Sequence, residues 1–205
     1  GTTSMPRPVG PAVAAGGAPS GGEPLFGAVR GLDTDRTLDN MVVGSYNRFA
    51  HAAAMSLLTS PGTLYNPLVV WGGPGTGKTH LVNAVGLRLQ EQSPHDTVWL
   101  TSGSMLARAA GLAQAAGRQK ELLDFAAAAR ALVIDDVHTT GVAEHNSDTL
   151  QKIMGAFLGA GKQVIVSSLY ASKHMAPLET ALGLRAEKAH VVELKTPNDA
   201  AQQAI

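Results

Sequence analysis

A glycine-rich pattern between an apolar strand and a helix constrains this chain more than any other feature of its sequence. Residues 68–85 read LVVWGGPGTGKTHLVNAV, and Gly72 to Thr79 satisfy the pattern G-x-x-x-x-G-K-[ST]. Glycines in such a loop let backbone N–H groups turn inward around a phosphate, and the following helix adds its positive end. The alternative, a glycine-rich surface turn, does not explain the flanking strand and helix. The pattern therefore predicts a P-loop that binds ATP or ADP.

Side chains of this loop have separate predicted roles. Lys78 is expected to reach the β- and γ-phosphate oxygens, and the Thr79 hydroxyl is expected to be a Mg²⁺ ligand. His80 is more typical of packing support for the helix that carries the loop. The predicted nucleotide contacts of this segment are Gly73, Pro74, Gly75, Thr76, Gly77, Lys78, Thr79 and His80.

Short apolar runs alternate with helical stretches along the rest of the chain. Strands are predicted at Pro67–Trp71, Thr97–Thr101, Ala131–Ile134, Gln163–Ser167 and Val191–Leu194. Helices are predicted at Tyr46–Leu58, Lys78–Gln90, Ser104–Ala116, Lys120–Ala128, Ser147–Ala160 and Leu178–Leu184. Strands that are apolar throughout indicate a parallel sheet covered on both faces. The predicted fold is α/β, a three-layer P-loop NTPase core with a five-stranded parallel sheet.

Two adjacent acids follow the third predicted strand. Residues 131–136 read ALVIDD, so the apolar strand ends in Asp135 and Asp136. Ligands of an open parallel sheet bind beyond the carboxyl ends of its strands, so both acids are expected to face the P-loop. Asp135 is then placed to hold Mg²⁺, and Asp136 to orient and activate the attacking water. The alternative is an Asp turn that only begins a loop.

Composition excludes several classes of protein. The chain has 16 basic and 16 acidic residues, whereas a domain that holds duplex DNA by electrostatics carries an excess of Lys and Arg. Contact with DNA is therefore expected to be weak and local. No run approaches the roughly 18 apolar residues of a membrane span. The lack of cysteine excludes disulfides and thiolate metal sites, and it fits the predicted cytoplasmic location.

Several segments of the chain resemble the AAA+ ATPase domain of the bacterial replication initiator DnaA, and equally the DnaA-derived regulator Hda. They are LDNMVVGSYNRFAHAAA, YNPLVVWGGPGTGKTHLVNAVG, LVIDDVH and QVIVSS, in that order. The resemblance implies an AAA+ core at 32–197, with 198–205 as the start of a helical lid that the chain does not contain. Residues 1–31 are rich in Gly, Pro and Ala and are predicted to be a flexible linker. Docking of Leu25, Phe26 and Val29 on the core is the alternative.

The resemblance implies further site residues. Val42, Val43 and Gly44 would line the adenine pocket with Asn47 close by, and Arg185 would be the arginine finger that reaches a neighbouring subunit's γ-phosphate. The alternative for Arg185 is a solvated cation at a helix end. Where the family reads Ser-Ser-Asp-Arg, residues 167–170 read Ser-Ser-Leu-Tyr, so the phosphate sensor is either missing or supplied in a weaker form by Ser168. Residues 102–129 match helices that contact single-stranded DNA in the initiator; a helical interaction surface is the alternative.

Two functions of different classes follow. The first is an initiator-like AAA+ module, of a divergent paralogue, that hydrolyses ATP slowly as a switch for oligomeric assembly or DNA-linked regulation. The second is a regulatory or scaffold module that binds nucleotide and a protein partner, with little turnover and no DNA binding. A small-molecule kinase would need an acceptor pocket and an Arg-rich closing lid, and the sequence shows neither.

Overall fold

A computed structural model describes residues 24–141, 143–171, 174, 180, 182–184 and 189–197. The strands are β1 (Leu68–Gly72), β2 (Val98–Ser102), β3 (Ala131–Asp135), β4 (Gln163–Ser168) and β5 (His190–Leu194). The longer helices are α1 (Arg48–Thr59), α2 (Lys78–Gln92), α3 (Gly103–Ala115), α4 (Gln119–Ala128) and α5 (Glu144–Leu158).

Within the described residues, the strands form one five-stranded parallel sheet in the order β2-β3-β4-β1-β5. The P-loop strand β1 lies between β4 and β5, and β3 lies on the far side of β4. The carboxyl ends of β1, β3 and β4 therefore meet at one edge of the sheet, where ligands of such folds bind. The α/β fold and the parallel sheet predicted from the sequence are confirmed.

Each face of the sheet is covered by its own hydrophobic cluster. On one face, side chains such as Val69 and Ile134 pack with Trp99 and Phe157 against α3, α4 and α5. On the other face, Val70, Val133 and Ile165 pack with residues of α1 and α2. Because both faces are buried, the inner strands carry no polar alternation, and this explains why their sequences read as continuous apolar runs.

The predicted elements agree with the structure except at their ends. The strands lie within one residue of the predicted bounds, with β3 extended to Asp135 and β4 to Ser168. Helix α1 begins at Arg48 rather than Tyr46, because Asn47 is its N-cap. The helix predicted at Leu178–Leu184 lies partly outside the described residues, although Thr180 and Leu182 are helical.

Residues 24–31, which we call the N-terminal strap, pack against the core. The strap opens with a 3₁₀ turn at Pro24–Gly27, and Ala28 is fully buried. The indole N–H of Trp99 donates to the Ala28 carbonyl at 2.8 Å. The backbone N–H of Arg30 donates to the Leu100 carbonyl at 2.7 Å, in an isolated antiparallel bridge to β2. The linker prediction is therefore wrong for 24–31, because the core supplies the apolar surface and the hydrogen bonds that the strap's own composition lacks.

Other parts of the predicted domain division lie outside the described residues, namely 1–23 and 198–205. In the strap, Phe26 packs against the core as the alternative interpretation required, whereas Val29 is exposed. No helix in the described stretches combines the length and the apolar composition that a membrane crossing needs.

Candidate nucleotide site

The loop between β1 and α2 has the backbone conformation that its glycines permit. Gly75 and Gly77 have φ angles of 72° and 93°, a region that side chains disfavour. A Cβ atom at Gly72 would collide with the Leu194 carbonyl of β5, so only glycine fits at the end of β1. The Thr76 hydroxyl donates to the Gly73 carbonyl at 2.9 Å and braces the loop from within.

Lys78 lies folded over this loop and is only 6% exposed. Its ammonium donates to the carbonyls of Gly72 at 2.8 Å and Gly73 at 2.7 Å. Burial lowers the pKa of Lys78 from its ordinary value, and the negative charges of Asp136 and Asp135 act in the opposite direction. Two of its three N–H groups are thus held by the loop, and the third remains for a ligand.

The carboxylate of Asp135 joins three elements of the site. Its Oδ1 atom accepts from the Thr79 hydroxyl at 3.3 Å and from the Ser167 hydroxyl at 2.6 Å. Its Oδ2 atom lies 3.5 Å from the Arg30 guanidinium. Ser167 also accepts from the backbone N–H of Asp136 at 2.8 Å, so one hydroxyl of β4 fixes both acids. The two acids and the P-loop are together, as the sequence predicts for the edge of the sheet.

A cavity of about 680 Å³ opens beside this group. Its walls are formed by Arg30, Arg36, Pro74, Gly75, Gly77, Lys78, Thr79, His80, Asp135, Asp136, His138 and Leu169. The residues present fit a Mg²⁺-bound nucleotide. A loop with two left-handed glycines can turn amides to a phosphate, Lys78 supplies a cation, and a hydroxyl faces a carboxylate where a hard metal ion needs oxygen ligands.

The predicted adenine contacts divide into two kinds. Val42 and Val43 are exposed, at 37% and 49%. Asn47 is buried, and its amide is used internally: Oδ1 accepts from the Gly44 N–H and Nδ2 donates to the Val42 carbonyl, both at 2.9 Å. A side chain at Gly44 would clash with the Tyr46 ring. Asn47 and Gly44 therefore shape the 42–44 turn, and contact with adenine stays a prediction.

His80 and Ser168 have other partners. His80 lines the cavity, and its Nε2 atom lies 2.7 Å from the Thr37 carbonyl, which links α2 to the segment before α1. Ser168 is fully buried and is not a cavity-lining residue; its hydroxyl accepts from the Tyr170 N–H at 3.0 Å. Ser168 therefore does not face the phosphate position, and Ser167 makes the contact to the acids. Arg185 lies outside the described residues.

Sequence reasoning gave no site role to Ser167 or to four wall residues, Arg30, Arg36, His138 and Leu169. Arg30 fell in the segment read as linker, and Arg36 belongs to the 32–37 stretch before α1, where it pairs with Asp33 at 3.0 Å. His138 accepts from the Leu169 N–H through Nδ1 at 3.3 Å. His138 stands two residues after Asp136, beyond a strand end, and it is the last residue of the LVIDDVH segment of the resemblance; both signals could have found it.

Comparison with known proteins agrees with the fold and with the predicted family. The family model of the bacterial DnaA ATPase domain matches residues 32–193. The chain belongs to this family. The chromosomal replication initiator protein DnaA of Thermus thermophilus is 33% identical over 167 residues, which is 82% of this chain and 38% of that protein. The chain thus spans well under half the length of this curated relative of the family.

Solved structures of DnaA share the fold. AMPPCP-bound DnaA from Aquifex aeolicus matches with a TM-score of 0.73 and 26% identity, over 83% of this chain and 52% of that one. DnaA bound to AMPPCP and single-stranded DNA matches with a TM-score of 0.69 and 25% identity, over 81% and 51%. Membership of the DnaA ATPase-domain family is therefore supported by sequence and by structure, and relatives in it bind an ATP analogue.

Proposed function

We propose that this chain binds ATP with Mg²⁺ and hydrolyses it slowly, as a switch for oligomeric assembly or DNA-linked regulation. The observation that carries the proposal is the meeting of Lys78, Thr79, Asp135 and Asp136 at one cavity. Each of the four side chains would supply a different group: in the same order, a phosphate-binding cation, a hydroxyl ligand for the metal ion, a metal-binding acid and a second acid. The family relation and the AMPPCP-bound relatives support the same nucleotide class.

The chain's own groups divide the chemistry among them. The third N–H of Lys78 binds the phosphate chain, and the amides of Gly75 and Gly77 enclose it. Thr79 and Asp135 would hold Mg²⁺, which offsets the charge of the phosphates. Asp136 orients a water molecule and accepts its proton. The φ of 50° at Asp136 and its N–H bond to Ser167 place this carboxylate at the cavity wall.

Contact with DNA is a weaker part of the proposal. One relative is described as bound to single-stranded DNA, but the cations of this chain between residues 102 and 129 are few, namely Arg108, Arg118 and Lys120. Arg118 is paired with Glu121 at 2.7 Å, and Lys120 with Asp124 at 2.6 Å. Pairing reduces the charge that these side chains offer to phosphates, so we expect DNA affinity to be low and strongly salt-dependent.

A second candidate is a nucleotide-binding regulatory or scaffold module with little turnover. The observation that favours it lies at the end of β4. The family carries an acid after its Ser-Ser pair, whereas this chain places Leu169 on the cavity wall and turns the Ser168 hydroxyl to the Tyr170 N–H. A site without that acid has one group fewer to respond to the terminal phosphate. ATP would then stabilise the fold or gate a protein partner.

Calorimetry with Mg²⁺-ATP tests the shared basis of both candidates. We expect Lys78→Ala to weaken binding at least about a hundredfold, because it removes the phosphate-binding cation. Lys152→Ala is the matched control: this exposed lysine pairs only with Asp148 on α5 and should leave affinity unchanged. Absence of nucleotide binding by the unaltered chain would remove both candidates.

Measurements of ATP turnover and of ATP-dependent assembly then distinguish the two candidate functions. Phosphate release that is lost in Asp136→Asn, together with ATP-dependent light scattering that is lost in Arg185→Ala, would support the switch. Nucleotide binding without measurable phosphate release or assembly would support the regulatory module. The sequence-based prediction of a cytoplasmic location stays a prediction.

A further inference from the structure

The N-terminal strap is fastened to the core at three points. The buried Ala28 carbonyl accepts from Trp99, and the Arg30 N–H bonds to Leu100. Nearer the start of the strap, the Arg118 guanidinium lies over the Phe26 ring, 4.8 Å from its centroid. A backbone held on both sides of Val29 fixes the direction in which the Arg30 side chain leaves the strap. Arg30 is therefore a positioned group and not a mobile surface cation.

The side chain of Arg30 enters the nucleotide site. It lines the main cavity, and it also lines a smaller adjoining cavity of about 80 Å³ together with Thr79 and Asp135. It forms an ion pair with Asp135, whose Oδ2 lies 3.5 Å from one guanidinium nitrogen. This distance is longer than the roughly 2.7–2.9 Å of a close charged hydrogen bond. Most of the donor capacity of the guanidinium is therefore free for a second acceptor.

Arg30 differs in this respect from the other cations of the cavity wall. Lys78 already gives two N–H groups to its own loop, and Arg36 is held in a close pair with Asp33 through Nε at 3.0 Å, whereas Arg30 has only its longer pair with Asp135. Arg30 also lies next to the position where Thr79 and Asp135 would hold a metal ion. A metal ion held there would bind the phosphates together with Thr79 and Asp135, and this would bring the terminal phosphate to the side of the loop where Arg30 lies.

We propose that Arg30 is a specificity-determining residue that binds the terminal phosphate in cis and favours a nucleoside triphosphate over a diphosphate. The proposal rests on the function proposed above. A triphosphate carries one more negative charge than a diphosphate, and that charge lies near Arg30. A guanidinium can bridge a carboxylate and a phosphate, so Arg30 keeps Asp135 as a partner while it binds the ligand. Leu169 follows β4, on one side of β3, whereas Arg30 is bonded to β2, on the other side. Arg30 would thereby contact the terminal phosphate from the side of β3 opposite to Leu169.

Calorimetry on the whole chain with Mg²⁺ tests this proposal, with AMPPCP as the triphosphate and ADP as the diphosphate. Arg30→Gln removes the charge and keeps most of the length. We expect it to weaken AMPPCP binding about tenfold and ADP binding less than about twofold, as for loss of one charged hydrogen-bonding contact. Arg30→Lys keeps the charge without the planar fork, and we expect a loss of about threefold for AMPPCP alone. Lys120→Gln removes an exposed charge on α4 and should change neither affinity.

Three results would overturn the proposal. Unchanged or tighter AMPPCP binding in Arg30→Gln would make Arg30 only a counter-ion of Asp135. Equal losses for both nucleotides would mean that Arg30 acts through docking of the strap. If Arg30→Gln does not fold, Arg30→Lys decides, and an unchanged AMPPCP-to-ADP ratio refutes the discrimination. The proposed function fails separately, if the unaltered chain binds neither nucleotide.

Discussion

Ser167 and Ser168 are adjacent, fully buried serines at the end of β4, and they should respond very differently to loss of the hydroxyl. In Ser167→Ala, the Asp135 carboxylate loses a donor at 2.6 Å and the Asp136 N–H loses its acceptor at 2.8 Å. In Ser168→Ala, only the Tyr170 N–H at 3.0 Å loses a partner. The two variants remove the same atom from neighbouring positions of one strand.

The expected costs follow from the partners. A hydrogen bond to a charged group contributes about 1.5–3 kcal/mol, and an unsatisfied N–H costs about 1–3 kcal/mol. Asp136 is half-buried at the cavity wall, so water can replace part of what it loses, and we expect Ser167→Ala to cost about 3 kcal/mol in total. Tyr170 is exposed, so we expect Ser168→Ala to cost about 1 kcal/mol.

Urea denaturation of both variants, with thermal unfolding as a second measure, checks the difference. The gap of about 2 kcal/mol corresponds to about 4–8 °C in melting temperature for a chain of this size. The m-values should agree with that of the unaltered chain, since no large surface changes. Equal costs, or a larger cost for Ser168→Ala, would refute the assignment of Ser167 to the acids.

Two further changes test the backbone of the site. Gly72→Ala should destabilise the chain by about 1–3 kcal/mol, because the new methyl group meets the Leu194 carbonyl, whereas Gly155→Ala, in an exposed and open position of α5, should stabilise it by about 0.5–1 kcal/mol. Unfolding curves measure both, and a neutral Gly72→Ala would contradict the close approach of β1 to β5. Asn47→Ala should cost about 1–3 kcal/mol and weaken ATP binding, since it leaves the Gly44 N–H without a partner and leaves the Val42 carbonyl with the Tyr46 hydroxyl alone. Asn40→Ala, on an exposed amide bonded to Asp35, should cost less than about 1 kcal/mol, and equal effects of the two would argue against a supporting role for Asn47.

Much of the fold could be predicted because its determinants are local. The inner strands are buried on both faces, so each leaves a short continuous apolar run in the sequence, bounded by turn residues. The P-loop is a single covalent segment, and its glycines, Lys78 and Thr79 have fixed spacing whatever surrounds them. Asp135 and Asp136 follow a strand directly, and the topology of a parallel sheet then places them beside the loop.

The choice between Ser167 and Ser168 could not be made in this way. Successive residues of a strand point to opposite faces, so one of the two serines faces the acids and the other does not. The face to which each strand residue points is normally inferred from the alternation of polar and apolar residues. Strand β4 is buried along its whole length, so its sequence gives no such indication. The resemblance gave the order of residues and not the direction of each side chain, so it could not show that Ser167, and not Ser168, bonds to the acids.

The N-terminal strap was missed for a related reason. The strap and Ser167 both contact the same group, the carboxylate of Asp135. A strap of Gly, Ala and Val has no amphipathic period of its own, and it is ordered by Trp99 and Leu100, which lie far away in the sequence. Its contribution to the site is the Arg30 guanidinium on Oδ2 of Asp135, while Ser167 of β4 and Thr79 of the P-loop donate to Oδ1. Three elements, none adjacent in the chain, thus each direct one donor to a single carboxylate of β3. A ligand that moves Asp135 therefore changes its hydrogen bonds to the P-loop and to β4 and its ion pair with the strap together, and this connects the strap physically to the nucleotide site.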